Sequence, residues 1–306
     1  MTQPTLAHAT EFGRMYSRSL TSAPEVPSIT TVIGQEHKDL TGWAGHLATQ
    51  ELIQDDRLAA AVGSASQLKT LARHAASAAE RFRDAAAQRG DRVHHYAEQV
   101  ALRALGTDHE VDTARATLVQ HGETAFADRF DEWWDLYGVR PLAAEVTVWN
   151  HTIGYAGTLD LIAEIAGRTC VIDFKTKGLD RRGRAKPLSE SVVMQLVAGM
   201  QAEERLVDAQ AGIWEPWPHG QDCLLMAVAV SETEVVPVQA TPAALKAHWH
   251  KFWALRQVWE HGRRTAEAGP SLRPLAPPPA AASAGATTST AKAPGGDGVP
   301  PVTPAA

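Results

Sequence analysis

The sequence predicts a mixed α/β protein, with one central mixed sheet, helices packed on it, and a helical region ahead of it. Two observations predict this. Residues 39–137 are rich in Ala, place apolar residues at helical spacing and contain few breakers. From Pro141 onward the pattern changes to alternating or continuous apolar runs separated by turn residues.

The elements follow in order. Residues 1–27 are weakly patterned and carry Pro4, Pro24 and Pro27, so a weakly ordered extension is expected there. Residues 28–35 (SITTVIGQ) suit a short strand or a helix start equally. Helices are expected over 39–62, 66–88, 91–105 and 108–137. AEVTVWN (144–150) alternates as a half-buried strand does. YAGTLDLIAEI (155–165) and TCVIDFKT (169–176) flank a short AGR turn, which fits a hairpin. LSESVVMQLVAGMQAEERL (188–206) returns to helical spacing, with Ser189 as its N-cap. DCLLMAVAV (222–230) reads as a buried strand and EVVPVQ (234–239) as a shorter one. Thr241-Pro242 then opens a last helix to about residue 265. The second half therefore reads β-β-β-α-β, and the folded body spans 28–266.

Of 306 residues, 44% are hydrophobic and 21% charged, an ordinary globular balance with enough apolar surface for one core. Residues 267–306 differ: Pro, Ala, Gly, Thr and Ser dominate and no aromatic residue occurs, so a disordered tail is expected. The first residues lack a basic start followed by an apolar run, and no stretch approaches the roughly 18–20 apolar residues of a membrane span. A soluble, cytoplasmic protein without membrane association is expected. Cys170 and Cys223 are too few for a disulfide framework or an iron–sulfur cluster. The net charge of −6 argues against a general nucleic-acid coat, but charge is locally concentrated. Residues 175–186 (KTKGLDRRGRAK) hold six cationic side chains against one Asp180, a net +5.

Chemistry is concentrated in the strands. In Val171-Ile172-Asp173-Phe174-Lys175, alternation puts Asp173 and Lys175 on one face and Ile172 and Phe174 on the other. Charges inside an apolar strand need partners, because burying them alone is costly. A salt bridge at a strand end is one explanation. The preceding strand supplies another, since the hairpin can bring Asp160 beside Asp173. Two adjacent carboxylates repel unless one is protonated or a cation lies between them, and hard oxygen ligands favour Mg²⁺ or Mn²⁺. Gly157 suits either a close backbone approach or a bulge. Glu145 is a third acid, on the face of Thr147 and Trp149; a functional role and a solvated charge account for it equally. In the helix from Asp91, His94 borders the apolar stripe and His95 points away from it, with Glu98 one turn on to orient the His94 ring. Trp214 and Trp217 lie in a Pro-broken loop, where stacking on a displaced strand competes with core packing as their role.

Taken in order, Arg89-Gly90-x-x-x-His94-x-x-x-Glu98, Glu145, Gly157-Thr158-Leu159-Asp160, Ile172-Asp173-Phe174-Lys175-Thr176 and Gln195-Leu196-x-Ala198 form a recognisable series. The series resembles the RecB-like branch of the PD-(D/E)XK nuclease superfamily. That branch includes nuclease domains of bacterial recombination enzymes, CRISPR-associated exonucleases and many phage exonucleases. The likeness covers about residues 28–230. Position 199 departs from it, being Gly where the branch carries Tyr, and the cysteines of the iron–sulfur members are absent, so the phage-type members match better.

The resemblance implies a restriction-endonuclease-like core and a Mg²⁺- or Mn²⁺-dependent DNA exonuclease without an iron–sulfur cluster. It implies His94, Asp160 and Asp173 as metal ligands, with the Phe174 carbonyl as a further donor. Asp160, Asp173, Lys175 and Glu145 would form the catalytic set, Lys175 orienting water or stabilising charge on the phosphate. Gln195 would contact substrate or hold the site, while Lys177, Arg181, Arg182 and Arg184 would follow the DNA backbone. Recombination, repair or phage DNA processing is the expected setting, with DNA and a single-strand annealing or recombination protein as partners. An endonuclease of the same fold and a catalytically silent DNA-binding module are the alternatives.

Overall fold

A computed structural model describes residues 4–220 and 222–277. Residues 4–27 correct the expectation of a weakly ordered extension. Strands β1 (Ala7–Thr10), β2 (Gly13–Tyr16) and β3 (Val26–Pro27) form a small antiparallel sheet. Strands this short carry too few alternations to register as a pattern. Their order comes from burial: Leu6 and Tyr16 pack with Trp149 and Ala156, far along the chain. Residues 28–35 resolve to helix α1 (Ile29–Ile33), because the Ser28 hydroxyl accepts the Thr31 N–H at 2.9 Å.

The helical region comprises α2 (Thr41–Gln54), α3 (Leu58–Ala61), α4 (Ala65–Ala76), α5 (Ala78–Leu105), α6 (Val111–Gln120) and α7 (Thr124–Leu136). The expected break near residue 90 is displaced to Ser77, and α5 runs through Gly90, where a side chain would meet nothing within 4 Å. Gly106, at φ +72°, closes α5 in the left-handed conformation. Gly122, at φ +69°, divides the expected 108–137 helix in two. The buried Glu123 beside it accepts hydrogen bonds from Arg92 at 2.6 and 2.7 Å, tying the start of α7 to α5.

The second half supplies β4 (Arg140–Asn150), β5 (Tyr155–Ile165), β6 (Arg168–Thr176), α8 (Ser191–Met200), β7 (Glu204–Asp208), β8 (Ile213–Pro216), β9 (Leu224–Val230), β10 (Val235–Gln239) and α9 (Pro242–Glu267). Their seven strands form one mixed sheet in the order β10-β9-β6-β5-β4-β7-β8, with β6 and β9 parallel and the other pairs antiparallel. Two of these strands go beyond the expected set. The helix expected to 206 stops at Met200, where the Asn150 amide donates to the Gln201 carbonyl at 2.6 Å and the chain turns to pair with β4. Residues 268–277 carry no helix or strand, and the rest of the expected tail, 278–306, lies outside the described residues.

Each face of the sheet buries its own core. On one, α5, α6 and α7 cover Leu161, Ile172, Phe174 and Val228. On the other, α1, α8 and α9 cover Val146, Leu159, Val171 and Ala227. Residues two apart in a strand share a face, yet this fails at one place on two neighbouring strands. The paired residues Ala144 and Leu161 pack in the first core, whereas the paired Val146 and Leu159 pack in the second. The alternation therefore changes phase at Glu145 and at Asp160, which stand opposite each other. Glu145 accommodates the change at φ +49°, a left-handed conformation rare for residues with a side chain.

Gly157 neither marks that irregularity nor faces an open space. A Cβ at this position would lie 2.5 Å from Ile29 Cδ1, so the glycine is what lets α1 seat on β5. Gly157→Ala is expected to cost about 1–3 kcal/mol of unfolding free energy by overpacking. Denaturation of Gly157→Ala, Ile29→Ala and the double variant should show the pair costing less than the summed single effects. Strict additivity would mean that the contact does not limit this position.

Candidate active site

The phase change leaves a cavity of about 140 Å³, lined by His94 of α5, Glu145 of β4, Asp160 of β5, Lys175 of β6 and Gln195 of α8. Asp173 lies buried next to Lys175. The fold thus brings together six of the residues singled out in the sequence, each from its own element except the β6 pair.

Backbone geometry explains how Asp160 is held. The β5–β6 ladder runs from Ile165 and Arg168 to Leu161 and Ile172 and then stops. Beyond that rung the Phe174 N–H donates to Asp160 Oδ2 at 2.7 Å. The same oxygen lies 3.5 Å from Nδ1 of His94, too far for a strong hydrogen bond. Lys175 Nζ lies 2.8 Å from Oδ1 and 2.6 Å from Oδ2 of Asp173. On the opposite face of β6, Phe174 packs edge-on against Phe130 and Trp133.

Electrostatics follow from burial and crowding. Burial pushes the Asp173 carboxyl up to about 6, with Lys175 opposing the shift and Asp160 adding to it. Burial acts the same way on Asp160 but is outweighed by His94, Lys175 and the Phe174 N–H, which hold it below the usual carboxylate range. Burial would lower His94, and the Asp160 charge overrides it to raise the imidazole. Burial, then the charges of Asp160 and Glu98, drive Glu145 up to about 9. Glu145 is half-buried and lines the cavity, so it is not a solvated charge on an exposed strand face.

Glu98 engages the outward histidine of the pair. Its carboxylate meets Nδ1 of His95 at 3.3 Å, and the His94 ring is set edge-on to Phe174. The basic segment divides. Lys177 lines an adjoining cavity of about 160 Å³ together with Lys175, Ser189 and Gln195. Arg181, Arg182 and Arg184 line neither of these cavities; all three are exposed, and Arg184 is 3.4 Å from Asp180. The segment is fastened rather than free: Asp180 accepts the Arg182 and Arg184 N–H groups, and Ala185 N–H donates to Glu234 at 2.7 Å. Gly199, where the resembling branch carries Tyr, lets α8 approach β5. A Cβ there would come within 2.7 Å of Leu159 Cδ2, leaving no room for an aromatic ring.

One wall of the cavity comes from residues that sequence reading passed over. Arg14, Tyr16 and Thr30 line it, and the Tyr16 hydroxyl lies 3.0 Å from that of Thr158. The only local signal was the Gly-Arg-Met-Tyr string, too short to read as a strand. Trp214 is occupied structurally, packed on Trp149 with the Arg18 guanidinium 4.2 Å from its ring centre, and Trp217 packs against the second core.

Among the described residues, no three His, Cys, Asp or Glu side chains already stand close enough together to enclose a metal ion. The donors themselves suit a hard divalent cation. Nδ1 of His94 is buried without a hydrogen-bond partner beside Asp160, and a second carboxylate, Asp173, lies in the same charge cluster.

No family model and no curated protein matches the chain. Among solved structures it shows a likeness to one titled "Crystal structure of SSO0001", at 12% identity over 59% of this chain and 84% of that one, with a TM-score of 0.23. That score is too low to carry an argument about fold or function. Among the described residues no helix is long and apolar enough to cross a membrane.

Without divalent cations, folded Glu145 keeps its proton to about pH 9, whereas the unfolded chain releases it near the model-peptide value of about 4.3. Its stabilising protonation is thus fully present below that lower value and is lost as pH rises through about 9. Glu145→Gln is therefore expected to raise the melting temperature by several degrees at about pH 8 and by little at about pH 4. Equal gains at both would remove Glu145 as the titrating group.

Proposed function

We propose that the chain is a divalent-metal-dependent deoxyribonuclease of the RecB-like PD-(D/E)XK kind, acting on DNA ends, with a restriction-endonuclease-like core. The supporting observation is the convergence of Asp160, the Asp173–Lys175 pair, His94 and Glu145 on one cavity. A bound Mg²⁺ or Mn²⁺ ion supplies positive charge at the scissile phosphate and makes water more acidic.

The chain's own groups divide the remaining tasks. Asp160, Asp173 and His94 would hold the ion, His94 as its neutral imidazole, so metal affinity would weaken as the pH is lowered. Lys175 spreads its charge between Asp173 and the incoming phosphate, where it stabilises the charge that develops in the transition state. Glu145, kept neutral by burial and by the Asp160 charge, would become an acceptor for water or a cation once positive charge entered the cavity. Gln195 and Lys177, which line the adjoining cavity, contact the strand next to the cleaved bond. Arg181 and Arg182, exposed nearby in sequence, add salt-sensitive attraction to the DNA backbone.

The full chain, incubated with linear, circular and single-stranded DNA, is expected to degrade DNA with ends only when Mg²⁺ or Mn²⁺ is present. Untouched linear DNA would sink the enzymatic reading, and cleaved circles would replace end-dependence with internal cutting. Lys175→Ala should lower the rate by about 10²–10³-fold with the fold intact. Asp160→Asn should weaken Mn²⁺ binding in calorimetry, and an unchanged titration would remove Asp160 from the ligand set.

A further inference from the structure

Arg14 lies on the cavity wall built by the small N-terminal sheet. Its backbone is held from several directions. The Arg14 carbonyl accepts the Ser28 N–H at 2.8 Å and the Thr31 hydroxyl at 3.0 Å. Two residues on, Tyr16 is fastened to Thr158, and two residues back the Phe12 carbonyl accepts the Trp259 indole N–H at 2.9 Å. Gly13, at φ +96°, lets the hairpin close on Thr31, where a Cβ would come within 2.7 Å of Thr31 Cγ2.

The side chain is treated differently from the backbone. Among the described residues the Arg14 guanidinium makes no ion pair, hydrogen bond or ring contact, and the residue is exposed. The other cations of the cavity are committed, since Lys175 spans both oxygens of Asp173 and His94 sits beside Asp160. On the nuclease reading the bound ion and Lys175 meet the scissile phosphate, which leaves a flanking phosphate on the N-terminal wall of the cavity to be met by another cation. Arg14 is such a cation, on the wall of the same cavity.

We propose that Arg14 is a substrate-positioning residue whose guanidinium holds a phosphate group of the bound nucleic-acid strand. This rests on the nuclease reading above, and it adds a contact from outside the β-β-β-α-β core. A planar, two-pronged donor matches two phosphate oxygens, whereas an ammonium offers charge without that fork. The N-terminal sheet is then part of the binding site and sets the depth at which a strand can lie.

The test is fluorescence anisotropy of a short labelled DNA oligonucleotide on the full chain, with Ca²⁺ in place of Mg²⁺, over a series of salt concentrations. Arg14→Ala is expected to raise Kd roughly tenfold and to flatten the logarithmic salt slope by about 1. Arg14→Lys should restore the slope but only part of the affinity. With Mg²⁺, KM should rise while kcat changes little. A structural role would move the melting temperature and leave the salt slope alone. Should Arg14→Ala fail to fold, Arg14→Gln carries the same comparison. An unchanged Kd and slope overturn the assignment of Arg14 and leave the nuclease reading standing. Wild-type binding without cleavage overturns the nuclease reading alone, and a wild-type chain that binds no DNA overturns both.

Discussion

At the centre of the sheet a side-chain carboxylate stands where a backbone rung would be. The β5–β6 ladder ends at Leu161 and Ile172, and the next amide on β6, that of Phe174, is satisfied by Asp160 Oδ2 instead of a carbonyl. A side chain is longer than a rung, so the two strands diverge around it. The phase change at Glu145 and Asp160 occurs at the same level, where the cavity opens. A buried amide cannot be left unsatisfied without cost. Asp160 is therefore a structural requirement of the divergence as well as a member of the charge cluster.

Placing charge there constrains everything packed around it. Three carboxylates, one lysine and one histidine share a space walled by two apolar cores. Their mutual arrangement is tolerated because each charge has a neighbour of opposite sign or keeps its proton. The cores must in turn approach closely enough to exclude water from the flanks. Gly157 and Gly199 serve that approach on one face, admitting Ile29 of α1 and the backbone of α8 against Leu159. On the other face, Phe130, Trp133 and Phe174 interlock beneath the His94 ring. The glycine at 199 is thus explained by packing alone.

The parts of this arrangement that could be read in the sequence are those with a repeating or discordant pattern. Strands β5, β6 and β9 announce themselves by apolar runs, and Asp160, Asp173 and Lys175 stand out because charge interrupts those runs. Helical spacing places His94 on the inner edge of α5, while the Glu98 contact to His95 does not follow from spacing alone. Strand β7 is hidden because AEERL has the composition of a helix and becomes a strand by pairing with β4 on one side and β8 on the other. The phase change was invisible because it shows only once two strands are aligned. Arg14 and Tyr16 were passed over for the same reason in stronger form: the hydroxyl that fixes Tyr16 is 142 residues away.

That distance has a consequence for how the molecule opens. The N-terminal sheet joins the large one through the buried packing of Leu6 and Tyr16 on Trp149 and Ala156, the Arg18–Glu204 ion pair, and side-chain links from Tyr16 to Thr158, Trp214 to the Arg18 carbonyl and Trp259 to the Phe12 carbonyl, with one isolated backbone bridge at Ser28 and Ala156. None of these belongs to the ladder of the seven-stranded sheet. Detachment of the N-terminal sheet would leave that ladder intact, and is expected as a sub-global event. Amides of β1 and β2 would exchange with solvent long before those of β5 and β6. The charged cavity would gain and lose a wall on that faster clock while the strands bearing its acids stay in register.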